Sequence, residues 1–408
     1  MRNKPLSLPL FFFLATTALY WFSMYTYPML LTGFVRQELG ASPALAGTIV
    51  SSYGLWQMLL RIPLGYASDK LRRRKPFLTL GAALSTLAAL GLFLARSPAW
   101  ALVARSVAGL AAAAWVAFTV LYAGYGAREG GARAMGTLSA CMYAAQLLGT
   151  LVGSAVAQGN GTRSAFMLAV GTGLIGMVCS RFVTDVAVTT QPPSTRALLE
   201  AGKNRLLLTS AGLTILLQII MWATLYGFSP QWATEVLHVE QASLGLLSTV
   251  HLLPNILFSW LVGAYLIPRL GEKWVCALSF VCMAVSCLCM PLTRTFVQML
   301  ALQALCGVGV GCCAPTLLAL SIRQIPSERR GIAMGFYQSL YGVGMFAGPA
   351  LAGLLIEASS PIVEGVAQLV QGYRINYWAC GGVGLLAALL TLVLLPRAMG
   401  KTQSLGRP

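Results

Sequence analysis

The chain has 408 residues, of which 57% are hydrophobic and only 10% charged, against about 25% charged in an ordinary soluble domain. It cannot clothe itself in a charged skin, which excludes a soluble enzyme, a secreted disulfide scaffold and a disordered chain. Lys and Arg number 28 against 11 Asp and Glu, a net charge of +17, and the placement of that charge, not its sum, decides its meaning.

At about 20 apolar residues per bilayer crossing, the chain has room for roughly a dozen spans. Six run in series as Leu8 to Leu31, Pro43 to Ser68, Pro76 to Ala95, Pro98 to Tyr125, Ala134 to Gln158 and Ser164 to Val183. A sustained polar stretch, Asp185 to Arg205, follows; its Gln191-Pro192-Pro193-Ser194-Thr195 is linker-like in composition. Six more run as Leu206 to Phe228, Ala242 to Ile267, Lys273 to Leu292, Phe296 to Leu320, Gly331 to Ile356 and Ile375 to Leu395. Arg2 and Lys4 precede the first run, which has no small-residue cleavage site and reads as a retained helix, not a signal peptide. The fold class is therefore an all-α polytopic membrane protein with twelve transmembrane helices in two six-helix bundles. The expected division is 1–184 for the first bundle, 185–205 for a cytoplasmic linker, 206–396 for the second bundle and 397–408 for a cytoplasmic tail.

With the N-terminus inside, twenty-one of the 28 Lys and Arg fall in inner segments. Arg36, Arg96, Arg163, Arg294 and Arg374 fall in outer loops, while Arg61 and Arg105 lie within spans. Positive residues are retained on the cytoplasmic side, so both termini are expected in the cytoplasm. The surplus charge is then topological and not a footprint for nucleic acid. The ten cysteines all sit in apolar stretches without metal-ligand or disulfide spacing and read as small core residues. A shift of 199 positions maps Glu129 and its neighbours onto Glu328, Gly149 onto Gly348 and Lys70-Leu71 onto Arg269-Leu270. Matches at equivalent topological places argue for duplicated halves running parallel in topology.

The segment Gly65-Tyr66-Ala67-Ser68-Asp69-Lys70-Leu71-Arg72-Arg73-Arg74-Lys75-Pro76 closes span 2 and opens span 3. Gly65 allows close helix contact, and Asp69 at a membrane boundary can pair with a cation or face a helix N-terminus. A charge pair there can latch the inner side shut, which makes Gly65, Asp69, Lys70, Arg73 and Arg74 a candidate gate. In span 4, Arg105 lies about seven residues inside the apolar run, where a cation is costly unless paired or facing water, and so marks a pathway. Arg61, nearer the inner face, either joins that pathway or snorkels to the surface.

His251 lies about nine residues from the outer end of span 8, roughly 14 Å deep at helical rise. It titrates near neutrality and is a candidate proton carrier, or else a buried imidazole satisfied by a hydroxyl or carbonyl. Tyr25, Gln146, Gln218, Trp222, Asn255, Gln338 and Tyr341 are expected to line a central cavity, because a lipid-facing amide is unfavourable. None of the eleven acids lies near the middle of a span, so no carboxylate is offered as proton carrier or as a lure for lipophilic cations. Gly344, Gly348 and Gly353 in span 11 suit helix packing. No HExxH or phosphate-binding loop is present, and neither cofactor nor metal is expected.

The Gly65 to Pro76 segment resembles the loop signature of the major facilitator superfamily, from which Ala67, Ser68 and Arg72 depart. Arg105-x-x-x-Gly109 resembles that superfamily's span 4 motif. The resemblance implies a transporter and not an enzyme, with its substrate site between the halves near the midplane and access alternating by rocking of one half against the other. It also implies a role for Arg105 in proton coupling or substrate contact. Without a nucleotide-binding module, energy must come from an ion gradient or the solute's own gradient. The expected function is proton-coupled movement of a small organic solute, anionic in view of Arg105 and the missing acids. A facilitative uniporter and a transporter-like sensor or scaffold are the alternatives. The expected partners are the lipid bilayer, the solute and protons, with no nucleic acid, in a monomer placed in the cell membrane.

Overall fold

The computed structural model describes residues 8–71, 73–125, 131–185, 202–325, 330–363 and 366–395. The expectations placed on the body of the linker (186–201), the tail (397–408), the loop residues 126–130 and 326–329 of the internal repeat, and Arg72 lie outside the described residues. Below, outer denotes the face at which span 1 ends, and inner the face at which it begins.

Span 1 runs Leu8–Tyr25, breaks, and resumes as Pro28–Gly33 and a π-helical turn, Phe34–Glu38. The uninterrupted helix expected to Leu31 is thus broken, and the span is longer. The cause is Pro28, which has no N–H to donate and disfavours helical backbone at Tyr27. Span 7 repeats the device: Arg205–Ala223 passes through a wide turn, Thr224–Phe228, to Ser229–Gln231 and Trp232–Val236, with Pro230 just past the break. It extends beyond the Phe228 expected as its end. Tyr27 and Phe228, the residues at the two breaks, have nearly identical backbone angles, φ −123°, ψ −7° and φ −121°, ψ 0°.

Span 2 is Pro43–Leu71, span 3 Lys75–Phe93, span 4 Pro98–Ala113 with Trp115–Tyr125, span 5 Gly131–Asn160 and span 6 Thr162–Ser180. Span 8 is Leu244–Leu261, continued by Val262–Leu266 and Ile267–Leu270; span 9 is Glu272–Cys289, span 10 Phe296–Ile322, span 11 Arg330–Ser359 and span 12 Leu369–Leu394. Span 12 begins two turns before the expected Ile375. A two-residue hairpin, β1 (Ile362–Val363) with β2 (Val366–Ala367), precedes it and was not expected in an all-α chain. Ser97 caps span 4, Asn204 caps span 7, and Thr295 with Gln298 forms a capping box on span 10. Two connections are single glycines at positive φ, Gly161 at +80° between spans 5 and 6 and Gly271 at +78° between spans 8 and 9.

Eleven of these segments are each long and apolar enough to cross a membrane. Span 2 is long enough at 29 residues, but Ser51, Ser52 and Gln57 make it more polar. All three are buried, because this helix turns that face to protein. Ten free cysteines, buried or half-buried, serve as core residues.

In the first half span 2 packs on 4, span 3 on 4 and 6, span 1 on 5 and 6, and span 5 on 6. Each pair has its counterpart in the second: 8 on 10, 9 on 10 and 12, 7 on 11 and 12, and 11 on 12. The halves meet chiefly along two symmetry-related seams, span 2 on span 11 and span 5 on span 8, of which the first is the most extensive helix contact among the described residues. Close approach at both rests on glycine. A Cβ on Gly47 would lie 2.2 Å from the Pro349 carbonyl oxygen, and one on Gly245 would lie 2.8 Å from that of Thr150.

Candidate functional site

The two breaks and the crossing of spans 2 and 4 bring one group of side chains to the centre. Gly109 lets span 4 approach span 2 so closely that a Cβ there would lie 2.6 Å from the Tyr53 carbonyl oxygen. One helical turn away, the Arg105 guanidinium lies over the Tyr53 ring, 4.4 Å from its centroid, and 5.8 Å from that of Tyr27 at the span 1 break. Tyr53 stacks on Trp222 of span 7 at 5.4 Å and 20°, Trp222 meets Tyr226 at 4.9 Å, and Tyr226 meets Tyr25 edge-on at 6.0 Å. A column of rings thus runs from Arg105 across the boundary between the halves.

Beside it lies a narrow cavity with free space for about one water molecule, lined by Met24, Tyr25, Pro28, Tyr53 and Arg105 from the first half and Trp222 and Tyr226 from the second. Arg105 is only 2% exposed, and its Nε and Nη1 make no hydrogen bond. Burial of a cation with open donors is costly.

Outward of the cavity the halves are sealed. Arg36 Nη1 meets Glu235 Oε1 at 2.7 Å, and Tyr373 donates its hydroxyl to Glu235 Oε2 at 2.7 Å while also receiving an Arg36 hydrogen bond. Thr32 donates to the Gly227 carbonyl at 2.8 Å. Flanking these, the Ala44 N–H donates to Glu357 at 2.9 Å, and the Ala242 N–H donates to Gln158 at 3.1 Å. Arg36 and Glu235 stand 199 positions apart, the spacing of the internal repeat, so equivalent points of spans 1 and 7 meet on the pseudo-twofold axis.

Among the predicted cavity residues, Tyr25 and Trp222 line the cavity. Tyr341 sits inward on the span 2 and span 11 seam, where it accepts a hydrogen bond from Arg61 Nη1 at 3.0 Å. Arg61 is 4% exposed, so it does not snorkel but bridges the halves. Gln218 faces span 11, with its Cβ 2.8 Å from where a Cβ on Gly344 would be, and its Oε1 is unpartnered. Gln146 is buried and Gln338 half-buried, and neither joins the cavity lining.

Asn255 is not central: its backbone packs under Gly311 of span 10, and its Oδ1 accepts from Ser259 at 3.3 Å. His251, fully buried, packs its backbone under Gly307 in the same interface. Neither of its ring nitrogens completes a hydrogen bond, although the Gln303 carbonyl lies nearby. The Gln303 side chain donates to Ser229 at 3.2 Å, and Ser229 shares a hydrogen bond with Tyr377 at 2.9 Å. A shift of 198 carries Tyr53, Arg105 and Gly109 onto His251, Gln303 and Gly307. The histidine is therefore the second half's counterpart of the tyrosine beneath Arg105.

In the gate segment, Lys70 and Arg73 are exposed and Arg74 is buried against Ser68. Among the described residues, a Cβ on Gly65 would meet Val116 at an ordinary 3.6 Å. The side chain of Asp69 lies outside the described residues. The carboxylate found at the start of span 3 is that of Asp185, accepting the Arg74 N–H at 3.0 Å.

Tyr53, Tyr226 and the Arg36, Glu235 and Tyr373 cluster were not singled out by the sequence. The repeat spacing, applied to charged residues at span ends, would have found the Arg36 and Glu235 pair. Among the described residues no group of three or more His, Cys, Asp or Glu is placed to hold a metal ion.

Two helical bundles around a central cavity define a polytopic membrane transporter of the secondary type. The sequence profile of the Major Facilitator Superfamily matches residues 12–230 and 211–406. The chain belongs to that superfamily. A bacterial homologue of the human lysosomal transporter Spinster, solved in an inward-facing and occupied conformation, superposes with a TM-score of 0.78 at 14% identity, covering 96% of this chain and 97% of that one. The nucleoside transporter NupG superposes at 0.70 with 16% identity, covering 94% and 98%. The quinolone resistance protein NorB of Staphylococcus aureus is 31% identical over 91 residues, which is 22% of this chain and 19% of NorB. The match spans about a fifth of that curated relative.

Proposed function

We propose that the protein carries a small organic solute across the cell membrane by alternating access, coupled to protons. The observation that carries this reading is the cavity whose lining comes from both halves, with Arg105 on one side and Trp222 and Tyr226 on the other. A site divided in this way is exposed to one face or the other as the halves rock. The names of two similar proteins, a quinolone resistance protein and a nucleoside transporter, both concern small organic solutes and support the size class.

His251 is the group proposed to carry the proton. It is buried, ionisable and without a completed hydrogen bond, in a core that offers no mid-membrane carboxylate. Gly65 and Asp69 with Lys70, Arg73 and Arg74 are proposed as the inner latch, and the distribution of Lys and Arg supports a cytoplasmic position for both termini and the 185–205 connection. A monomer suffices, because one chain supplies both sides of the cavity.

The test is transport by purified protein in proteoliposomes, with a panel of labelled organic solutes and an imposed pH gradient. Uptake that rises with the gradient in wild type and loses that dependence in His251→Gln supports the reading. Uptake indifferent to the gradient makes the protein a uniporter, and no uptake of any solute together with a co-purifying partner makes it a scaffold.

A further inference from the structure

We infer that the central site takes a solute carrying a single carboxylate on an aromatic ring; this rests on the transporter reading and names its substrate class. Arg105 is buried and lines the cavity, with Nε and Nη1 unpartnered. Tyr53 supports one face of its guanidinium. Cation–π attraction acts on that face and leaves the in-plane N–H donors open. Nη2 completes a two-pronged edge with Nε on one side of the guanidinium and with Nη1 on the other, and either edge matches the two oxygens of a carboxylate, the geometry in which arginine binds most selectively.

No negatively charged group among the lining residues meets that need. The lining contains no acid, and none of the eleven acids of the chain falls near the middle of a span. One guanidinium with open donors calls for one negative charge. Another buried guanidinium, that of Arg61, lies eight residues inward on the same helix as Tyr53, about 12 Å at helical rise, and spends Nη1 on Tyr341. It adds positive potential along the inner approach, which draws anions in and repels cations.

The remainder of the lining selects the body of the solute. Tyr53 and Trp222 lie nearly parallel, at 20°, one from each half, and Tyr226 continues the column. A flat ring beside this column exchanges one stacking contact for another. A saturated ring of similar size lacks the flat face that stacks.

The test is calorimetric titration of the purified full chain in nanodiscs with benzoate, cyclohexanecarboxylate, benzamide and benzylammonium. Benzoate is expected to bind at least about 10-fold more tightly than benzamide and several-fold more tightly than cyclohexanecarboxylate, with no binding of benzylammonium. Arg105→Gln should erase the preference for benzoate over benzamide, and Trp222→Leu should erase only the preference over cyclohexanecarboxylate. Arg105→Lys, which keeps the charge but not the fork, should retain part of the first. Unchanged thermal unfolding shows that each variant is folded. No benzoate binding, equal binding of benzylammonium, or an Arg105→Gln ratio equal to wild type overturns the inference. Labelled benzoate that binds but does not enter proteoliposomes keeps the site and defeats the transport reading. Uptake of another solute without benzoate binding does the reverse.

Discussion

The seam between spans 2 and 11 and the seam between spans 5 and 8 are related by the internal repeat, yet they are unequal. The first is tight at its outer end, where a Cβ on Gly47 would meet Pro349, and again at Gly54 against Met345 and Gly342 against Met58. It continues inward to the bond between Arg61 and Tyr341. On the second, the described close contacts gather outward, at Gly245 with Thr150 and Leu151 and at Gln158 with Glu240 and Ala242. The same small-residue device occurs on both seams, and the first adds the buried cation of Arg61. One seam therefore acts as the spine of the molecule in this state, and the other as the shorter clasp.

The largest effect is expected at the axis between the seams. Arg36→Ala leaves the Glu235 carboxylate without its cation, and removal of one partner from a buried pair costs about 3–5 kcal/mol. The lower end applies, since the Glu235 side chain is 24% exposed. Lower thermal stability and new labelling of a cysteine placed at Met24 by a membrane-impermeant thiol reagent should follow. Unchanged values would mean that the two seams close the outer end unaided.

The seams themselves are separated by Gly47→Val and Gly245→Val. Overpacking costs about 1–3 kcal/mol, and the larger loss is expected at Gly47, where a Cβ would come within 2.2 Å of backbone against 2.8 Å at Gly245. Equal shifts in unfolding temperature would remove the distinction between spine and clasp. Tyr341→Phe deletes only the acceptor for Arg61 and should cost about 1.5 kcal/mol, with a matching rise in hydrogen exchange at the inner end of the spine. Gln158→Ala, at an exposed site on the clasp, should stay within about 0.5 kcal/mol of wild type, and a larger change would promote that contact to a structural lock.

The spans were legible because a bilayer imposes length and hydropathy on every crossing, and Arg105 was legible because a cation in an apolar run is rare. The breaks were written in Pro28 and Pro230, but proline inside a span is ambiguous: Pro254, Pro315 and Pro349 sit within continuous helices. Only packing distinguishes the two cases. Asn255 was misplaced because polarity shows that a side chain avoids lipid, without showing whether a cavity or a neighbouring helix receives it. Tyr53 was overlooked since its importance lies in what it touches. Arg36 looked like an ordinary loop charge until span 1 proved long enough to carry it to Glu235.

The single-glycine corners at Gly161 and Gly271 leave no slack between the helices they join. A tilt of span 5 is handed directly to span 6, and a tilt of span 8 to span 9, as by the arms of a stiff crank. Since spans 5 and 8 are also partners across the clasp, a displacement started there is delivered to the lipid-facing rim of both bundles at once.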